Sequence, residues 1–104
     1  MIIIEMNEGK KAGYELNGTI LRIAGREIDL QVEQKDVERK IDIIENGQYV
    51  ANIIIPPARY KTIEKTETID GEQVVIEVQE PLDINTVIIQ LWAVKEDNKI
   101  EGGI

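Results

Sequence analysis

The chain of 104 residues is long enough for one domain to bury a hydrophobic core without disulfide bonds or metal ions. Its net charge of −8, from 20 acidic and 12 basic residues, argues against nucleic acid and anionic membrane surfaces as partners, because both attract positive charge. It contains no cysteine, histidine or serine, which excludes Ser–His and Cys–His catalysis and the usual zinc sites.

The apolar residues are mostly β-branched. Isoleucine occurs 20 times and valine 8 times, whereas leucine occurs 5 times and phenylalanine is absent. β-branched side chains lose freedom in helices and pack well on pleated sheets, so the composition predicts an all-β fold. The sequence shows no signal-peptide pattern and no apolar window near the ~20 residues of a membrane span, so we expect a cytoplasmic protein.

The first strands are short. Residues 1–6 include three consecutive isoleucines, which suits a strand buried on both sides or an edge that needs a neighbour. A second strand begins near Tyr14 and is interrupted at Asn17-Gly18, and residues 19–24 resume the extended pattern.

A turn and a half-buried strand are predicted next. Gly25-Arg26 suits a type II′ turn with glycine in its first position. After this turn, Ile28, Leu30 and Val32 alternate with polar residues, which is the pattern of a strand with one face in the core.

The strongest local signal is Asn46-Gly47, between two apolar runs over residues 41–55. This dipeptide tolerates the positive φ angles of a tight hairpin. A two-residue loop would place Ile43 opposite Val50 and mix apolar with polar residues on each face. A three-residue loop of residues 45–47, with a G1 bulge at the glycine, places Ile43 opposite Tyr49 and separates the faces better, so we predict that register.

A helical alternative exists for residues 33–45. Val37, Ile41 and Ile44 also have helical spacing, and a short helix ending at Gly47 would satisfy it.

Residues 58–80 predict a third hairpin. Pro56-Pro57 ends the preceding strand, since proline cannot donate to a ladder. Residues 58–68 read as a solvated or edge strand, and Asp70-Gly71 suits a turn before the strand at residues 73–79. A two-residue loop would place Glu64 opposite Glu77, which charge repulsion disfavours, and a three-residue loop would place it opposite Ile76. Strands of ten residues would reach roughly 33 Å, so this hairpin could project from the body.

The last strong strand is residues 85–95, which is apolar on both faces and suits the centre of a sheet. The sequence therefore predicts a single all-β domain over residues 1–95 and a frayed tail over residues 96–104. We expect an antiparallel sandwich or small barrel of about seven or eight strands, built from hairpins.

The polar residues form no recognisable catalytic or metal-binding pattern. The acidic turns at residues 70–72 and 96–98 lack the spacing of a calcium loop, and no glycine-rich phosphate loop is present. Twenty acidic residues give many close pairs by chance, so a carboxylate-only enzyme is a weak hypothesis. We therefore expect a protein that is not an enzyme and has no metal or other cofactor.

Four aromatic residues are the remaining candidates for ligand contact. Trp92 lies in the most apolar segment and Tyr49 faces Ile43 in the predicted register, so both are predicted in the core. Tyr60, next to polar residues after the prolines, is the one ring predicted as a surface contact.

These observations predict a structural or protein-interaction module, such as a small subunit of a phage, virus or other larger particle. Its expected partners are proteins, including copies of itself, bound through closed symmetry or strand addition. The alternative is a β module that binds carbohydrate or another small ligand on an exposed aromatic platform.

Overall fold

The computed structural model describes residues 1–66, 71 and 73–94 of the chain. Strands dominate these residues, and the only helical segments among them are one turn of α-helix, α1 (Leu30–Glu33), and a 3-10 turn (Ile84–Thr86). The nine strands in this part of the chain are β1 (Ile2–Glu5), β2 (Tyr14–Asn17), β3 (Ile20–Ile23), β4 (Arg26–Asp29), β5 (Arg39–Glu45), β6 (Gln48–Ile55), β7 (Tyr60–Thr66), β8 (Gln73–Gln79) and β9 (Ile88–Leu91).

The strands form three sheets, with the orders β1-β9-β6-β5, β2-β3-β4 and β7-β8. The all-β prediction is confirmed. A single antiparallel sandwich or small barrel of seven or eight strands is not observed, because the described strands lie in three sheets with no closed barrel, and β1 pairs with β9 in parallel.

One hydrophobic core joins the two larger sheets. Its buried side chains come from β3, α1, β5, β6, β9 and the segments before β9: Leu21, Ile23, Leu30, Ile43, Val50, Ala51, Ile53, Ile55, Leu82, Val87, Ile89 and Leu91. None of the described side chains of β7 and β8 belongs to this group or packs against it. The β7–β8 hairpin, called the arm below, therefore stands apart from the body of the domain.

The three-stranded sheet β2-β3-β4 differs from its prediction at the turns. Asn17 pairs with Ile20, so the interruption at Asn17-Gly18 is a hairpin turn between β2 and β3. The next turn uses Ala24 and Gly25, with φ of 51° and 74°, which is the pattern of a type I′ turn. The predicted type II′ turn at Gly25-Arg26 is therefore wrong.

The alternating segment after this turn becomes helical at Leu30. Asp29 caps the helical turn, because its carboxylate accepts from the Gln31 N–H and the Thr19 hydroxyl, both at 3.1 Å. The turn directs Leu30 into the core, while Val32 is exposed. Alternation predicts that both belong to one strand face, so this prediction fails beyond Asp29.

The central hairpin turns on two residues. Asn46 and Gly47 have φ of 52° and 75°, and Glu45 pairs with Gln48 next to them. The predicted three-residue loop is therefore wrong. The helical alternative is also wrong for residues 39–45, which form β5.

A β-bulge corrects the register one pair beyond the loop. Ile44 pairs with Tyr49, but Ile43 pairs with Ala51, so Val50 is the extra residue on β6. The bulge turns Ile43 to the core and leaves Tyr49 on the opposite face. The bulge thus combines a two-residue turn with a hairpin face that is apolar where it meets the core. Neither of the two predicted loops gives both features.

The central position of the last strand is confirmed. β9 lies between β1 and β6, and it is shorter than the predicted residues 85–95 because the 3-10 turn precedes it. The predicted tail at residues 96–104 lies outside the described residues.

Candidate functional site

The arm has one apolar and one polar face. Ile63 pairs with Ile76 and Lys61 pairs with Val78, so these four residues share a side of the two-stranded sheet. Ile63 and its apolar neighbours on this side are half-buried, whereas the alternate residues of both strands are exposed. Among the described residues, no side chain of the core group packs against this apolar side.

The register of the arm differs from both predictions. Glu64 pairs with Val75, and the described pairs run from Tyr60 opposite Gln79 to Thr66 opposite Gln73. This register keeps Glu64 away from Glu77, as charge repulsion requires. Of the predicted Asp70-Gly71 turn, only Gly71 is described, with a φ of 70°. The ladder holds seven residues per strand, which is roughly 23 Å.

The base of the arm is tied to the segment that follows α1. The Ala58 N–H donates to the Lys35 carbonyl at 2.7 Å. The Gln34 side chain donates to the Pro56 carbonyl at 3.2 Å and accepts from the Gln79 amide at 3.4 Å. These bonds hold the arm at its root.

A cavity of about 500 Å³ lies at this junction. Its lining combines prolines with charged and polar side chains: Gln34, Pro56, Pro57, Ala58, Arg59, Glu80, Pro81, Asp83 and Thr86. One carboxylate of this lining has a structural role, because Asp83 accepts from the Asn85 N–H at 3.0 Å and caps the 3-10 turn.

Tyr60 lies at the root of the arm and is 46% exposed. Its hydroxyl donates to the Asp36 carboxylate. This hydrogen bond, with the negative charges of Asp36 and Glu77, raises the pKa of Tyr60 above its ordinary value. The exposure is compatible with a surface contact, and that role remains a prediction.

We expect the Tyr60–Asp36 bond to be visible in an alkaline titration. Because the folded pKa is raised, the bond stabilises the fold below the ordinary tyrosine pKa, and this contribution is lost as the pH rises through the raised pKa. Phenolate absorbance of the protein minus that of Tyr60→Phe measures this group alone. Asp36→Asn should lower the pKa of Tyr60, and an unchanged titration curve would show that the bond does not form in solution.

The four-stranded sheet has an outer face, opposite the core, that combines isoleucines with polar side chains. One row across it contains Lys40, Ile54, Ile88 and Ile2 in register, and the next contains Asp42, Asn52, Gln90 and Ile4. Tyr49 and Trp92 extend this face, with their ring centroids 6.1 Å apart. Tyr49 is 47% exposed and Trp92 is half-buried, so the prediction that both lie in the core is wrong.

Asn52 holds Trp92 in place from within the sheet. It is only 3% exposed, and its amide donates to the Asp42 carboxylate at 2.8 Å. Its carbonyl oxygen accepts from the Trp92 indole N–H at 2.6 Å. The asparagine thus satisfies its own buried polar atoms and fixes the orientation of Trp92. Sequence patterns missed this network because it depends on the bulge at Val50.

Two further observations concern metal ligands and membrane spans among the described residues. Within residues 1–66, 71 and 73–94, no group of three or more acidic side chains is placed to bind a metal ion. The helical segments in the same residues are too short to cross a membrane.

Comparison with protein-family models, with curated proteins and with solved structures gives no match.

Proposed function

We propose that this chain is a non-enzymatic protein-interaction module that binds a partner protein through the apolar face of the arm. The single observation behind the proposal is a seven-pair hairpin whose apolar side no core residue covers in the part of the chain that the structure describes. A two-stranded hairpin is at best marginally stable alone in water. A partner that covers this face would stabilise the arm and gain apolar contacts.

The chemistry of the arm defines the partner surface. Ile63, Ile76 and Val78 form an apolar strip, and Lys61 adds a positive charge on the same side. The matching surface is an apolar strip bordered by carboxylates, which would meet Lys61. Such an arm suits a small subunit that links its body to a neighbour in a larger assembly, and phage and virus particles are examples of such assemblies. The proposed location is the cytoplasm.

Adjacent positions of β8 provide a matched test of the proposal. Ile76 points to the apolar face and Val75 to the opposite face, where it is 60% exposed. A photo-reactive side chain at position 76, introduced in the cells that make the protein, should give a defined cross-linked partner. The same group at position 75 should give little or none. Equal adducts at both positions, or none at either, would contradict the proposal.

Binding to the purified partner measures how much the apolar face contributes to the binding free energy. We expect Ile76→Lys to weaken binding by about 2 kcal/mol or more, roughly 30-fold, because a charge replaces a buried apolar contact. Val75→Lys introduces the same charge on the opposite face and should alter binding by less than about threefold. Both variants should unfold like the wild type, since neither residue belongs to the core.

A second candidate function rests on the outer face. Tyr49 is exposed and Trp92 is half-buried, and they form an aromatic pair on the face that carries Asp42 and Gln90. Such a pair is the kind of platform on which a sugar ring stacks. We propose carbohydrate binding as the alternative. A glycan that changes the fluorescence of Trp92, the one tryptophan of the chain, would favour it over the arm.

A further inference from the structure

The edge formed by β1 has unpaired backbone groups. The Ile2 N–H donates to the Val87 carbonyl at 2.8 Å, and the Met6 N–H bonds to the β9 side in the same way. Alternate residues of a strand direct their backbone groups to opposite sides, so the N–H and C=O of Ile3 and Glu5 point away from β9. Neither residue has a backbone hydrogen-bond partner on that side in the described part of the chain.

This edge has little charge to protect it against pairing, because its one charged residue, Glu5, lies at the end of the strand. Natural sheets protect edges with charged residues, prolines or bulges. The opposite edge of the same sheet, β5, carries Arg39, Lys40, Asp42 and Glu45 within seven residues. β1 instead presents three successive isoleucines, and the outer-face side chains of Ile2 and Ile4 are 47% and 40% exposed.

We propose that β1 pairs antiparallel with β1 of a second copy, around a two-fold axis at Ile3. The two Ile3 residues then exchange both of their outward N–H···O=C bonds. Ile2 lies opposite Ile4 of the second copy, and Ile4 lies opposite Ile2 of the second copy. The four-stranded sheet continues across both chains as eight strands. This inference is independent of the arm.

The side chains favour this register over its neighbours. An axis at Ile4 would also be compatible with the backbone, but it places Ile3 opposite Glu5 of the second copy. An axis at Glu5 would place two like charges opposite each other. With the axis at Ile3, Glu5 lies at the end of the pairing, where its carboxylate contacts the Lys11 ammonium at 3.3 Å.

The dimer should be weak and sensitive to salt. A four-residue strand pair buries much less than the ~800 Å² per partner of a standard interface, so we expect a Kd in the micromolar range or above. Each copy carries a net charge of −8, and the copies repel each other. Raising the ionic strength from about 0.01 M to about 0.15 M should therefore increase the dimer fraction.

Sedimentation equilibrium of the full chain tests the edge directly. Ile3→Pro removes the outward N–H but keeps the donors of Ile2 and Met6 to the β9 side, so we expect a monomer at every concentration up to about 1 mM. Ile3→Ala is the matched control. It removes as much side-chain packing but keeps the N–H, so dimerisation should weaken by no more than about fivefold. A dimer that persists in Ile3→Pro would overturn the proposal, as would a wild type that is monomeric throughout.

Engineered cysteines test the register, because the natural chain has none. Opposed residues of a non-hydrogen-bonded pair approach closely enough for a disulfide. A mixture of Ile2→Cys and Ile4→Cys chains should therefore oxidise mainly to the mixed dimer. Self-crosslinking of Ile4→Cys alone would place the axis at Ile4 and overturn the register at Ile3.

Variants of the arm and of β1 distinguish dimerisation through β1 from partner binding by the arm. Ile76→Lys should leave the β1 dimer unchanged, and Ile3→Pro should leave partner binding by the arm unchanged. Loss of the dimer in Ile76→Lys would assign self-association to the arm and would overturn the proposed role of β1.

Discussion

Replacing Asn52 by aspartate is expected to destabilise the fold by about 3–5 kcal/mol at neutral pH. The amide that donates to Asp42 becomes a carboxylate oxygen near 2.8 Å from another carboxylate, inside a site that is 3% exposed. Burial and the neighbouring charge raise the folded pKa of the introduced carboxyl above its unfolded value. Stability should therefore be best below the unfolded pKa and should fall as the pH rises through the folded one.

Urea unfolding from about pH 4 to about pH 7 measures this effect. The exchange variant, Asn52→Asp combined with Asp42→Asn, is the control, because it restores an amide donor to a carboxylate and keeps an acceptor for the Trp92 N–H. We expect it to recover most of the lost stability. Equal losses in the single and exchange variants would show that the Asn52 network does not act as described.

Truncating Ile53 to alanine is expected to cost about 2–5 kcal/mol. Ile53 is fully buried at the centre of the four-stranded sheet, where it pairs with Ile41 on β5 and Ile89 on β9. The cavity left by three missing carbons lies between two strands and has little room to collapse. For a domain whose total stability is typically about 5–15 kcal/mol, this is a large fraction.

The matched change on the outer face should cost much less. Ile44 is 46% exposed, so Ile44→Ala removes the same atoms and is expected to cost less than about 1 kcal/mol. Circular dichroism during urea unfolding compares the two variants. Similar losses would mean that the two faces of the sheet are assigned incorrectly, or that the outer face is covered in solution.

The sequence predicted the strands better than their registers. Asn46-Gly47 marks its hairpin correctly because both residues tolerate positive φ, a property of the dipeptide itself. The bulge at Val50 is different. It satisfies the turn and the core together, and no property of Val50 alone indicates that it lacks a partner on β5. Because the prediction lacked this bulge, it placed Tyr49 in the core and did not identify the aromatic pair on the outer face.

Local side-chain bonds account for a second failure. Ile28, Leu30 and Val32 alternate like a strand, but Asp29 bonds to the Gln31 N–H and to Thr19 and starts a helical turn. Thr19 lies ten positions before Asp29, so the start of the helical turn depends on a contact with the turn before β3 as well as on local sequence. Tyr60 was correctly placed at the surface because polar residues surround it in sequence. Its bond to Asp36 joins β7 to the segment between α1 and β5 and was not foreseeable from spacing.

The position of β9 has a consequence for how the protein reaches its fold. β9 must enter between β1 and β6, and the side-chain bond from Asn7 to Ala93 joins residues 86 positions apart. At a synthesis rate of about 5–20 residues per second, β1 waits roughly 4–17 s for its neighbour. During that interval its isoleucines are exposed on a nascent chain. Translation therefore sets the earliest time at which the sheet can be completed. We expect chaperones that recognise short apolar segments to bind β1 mainly before β9 is made.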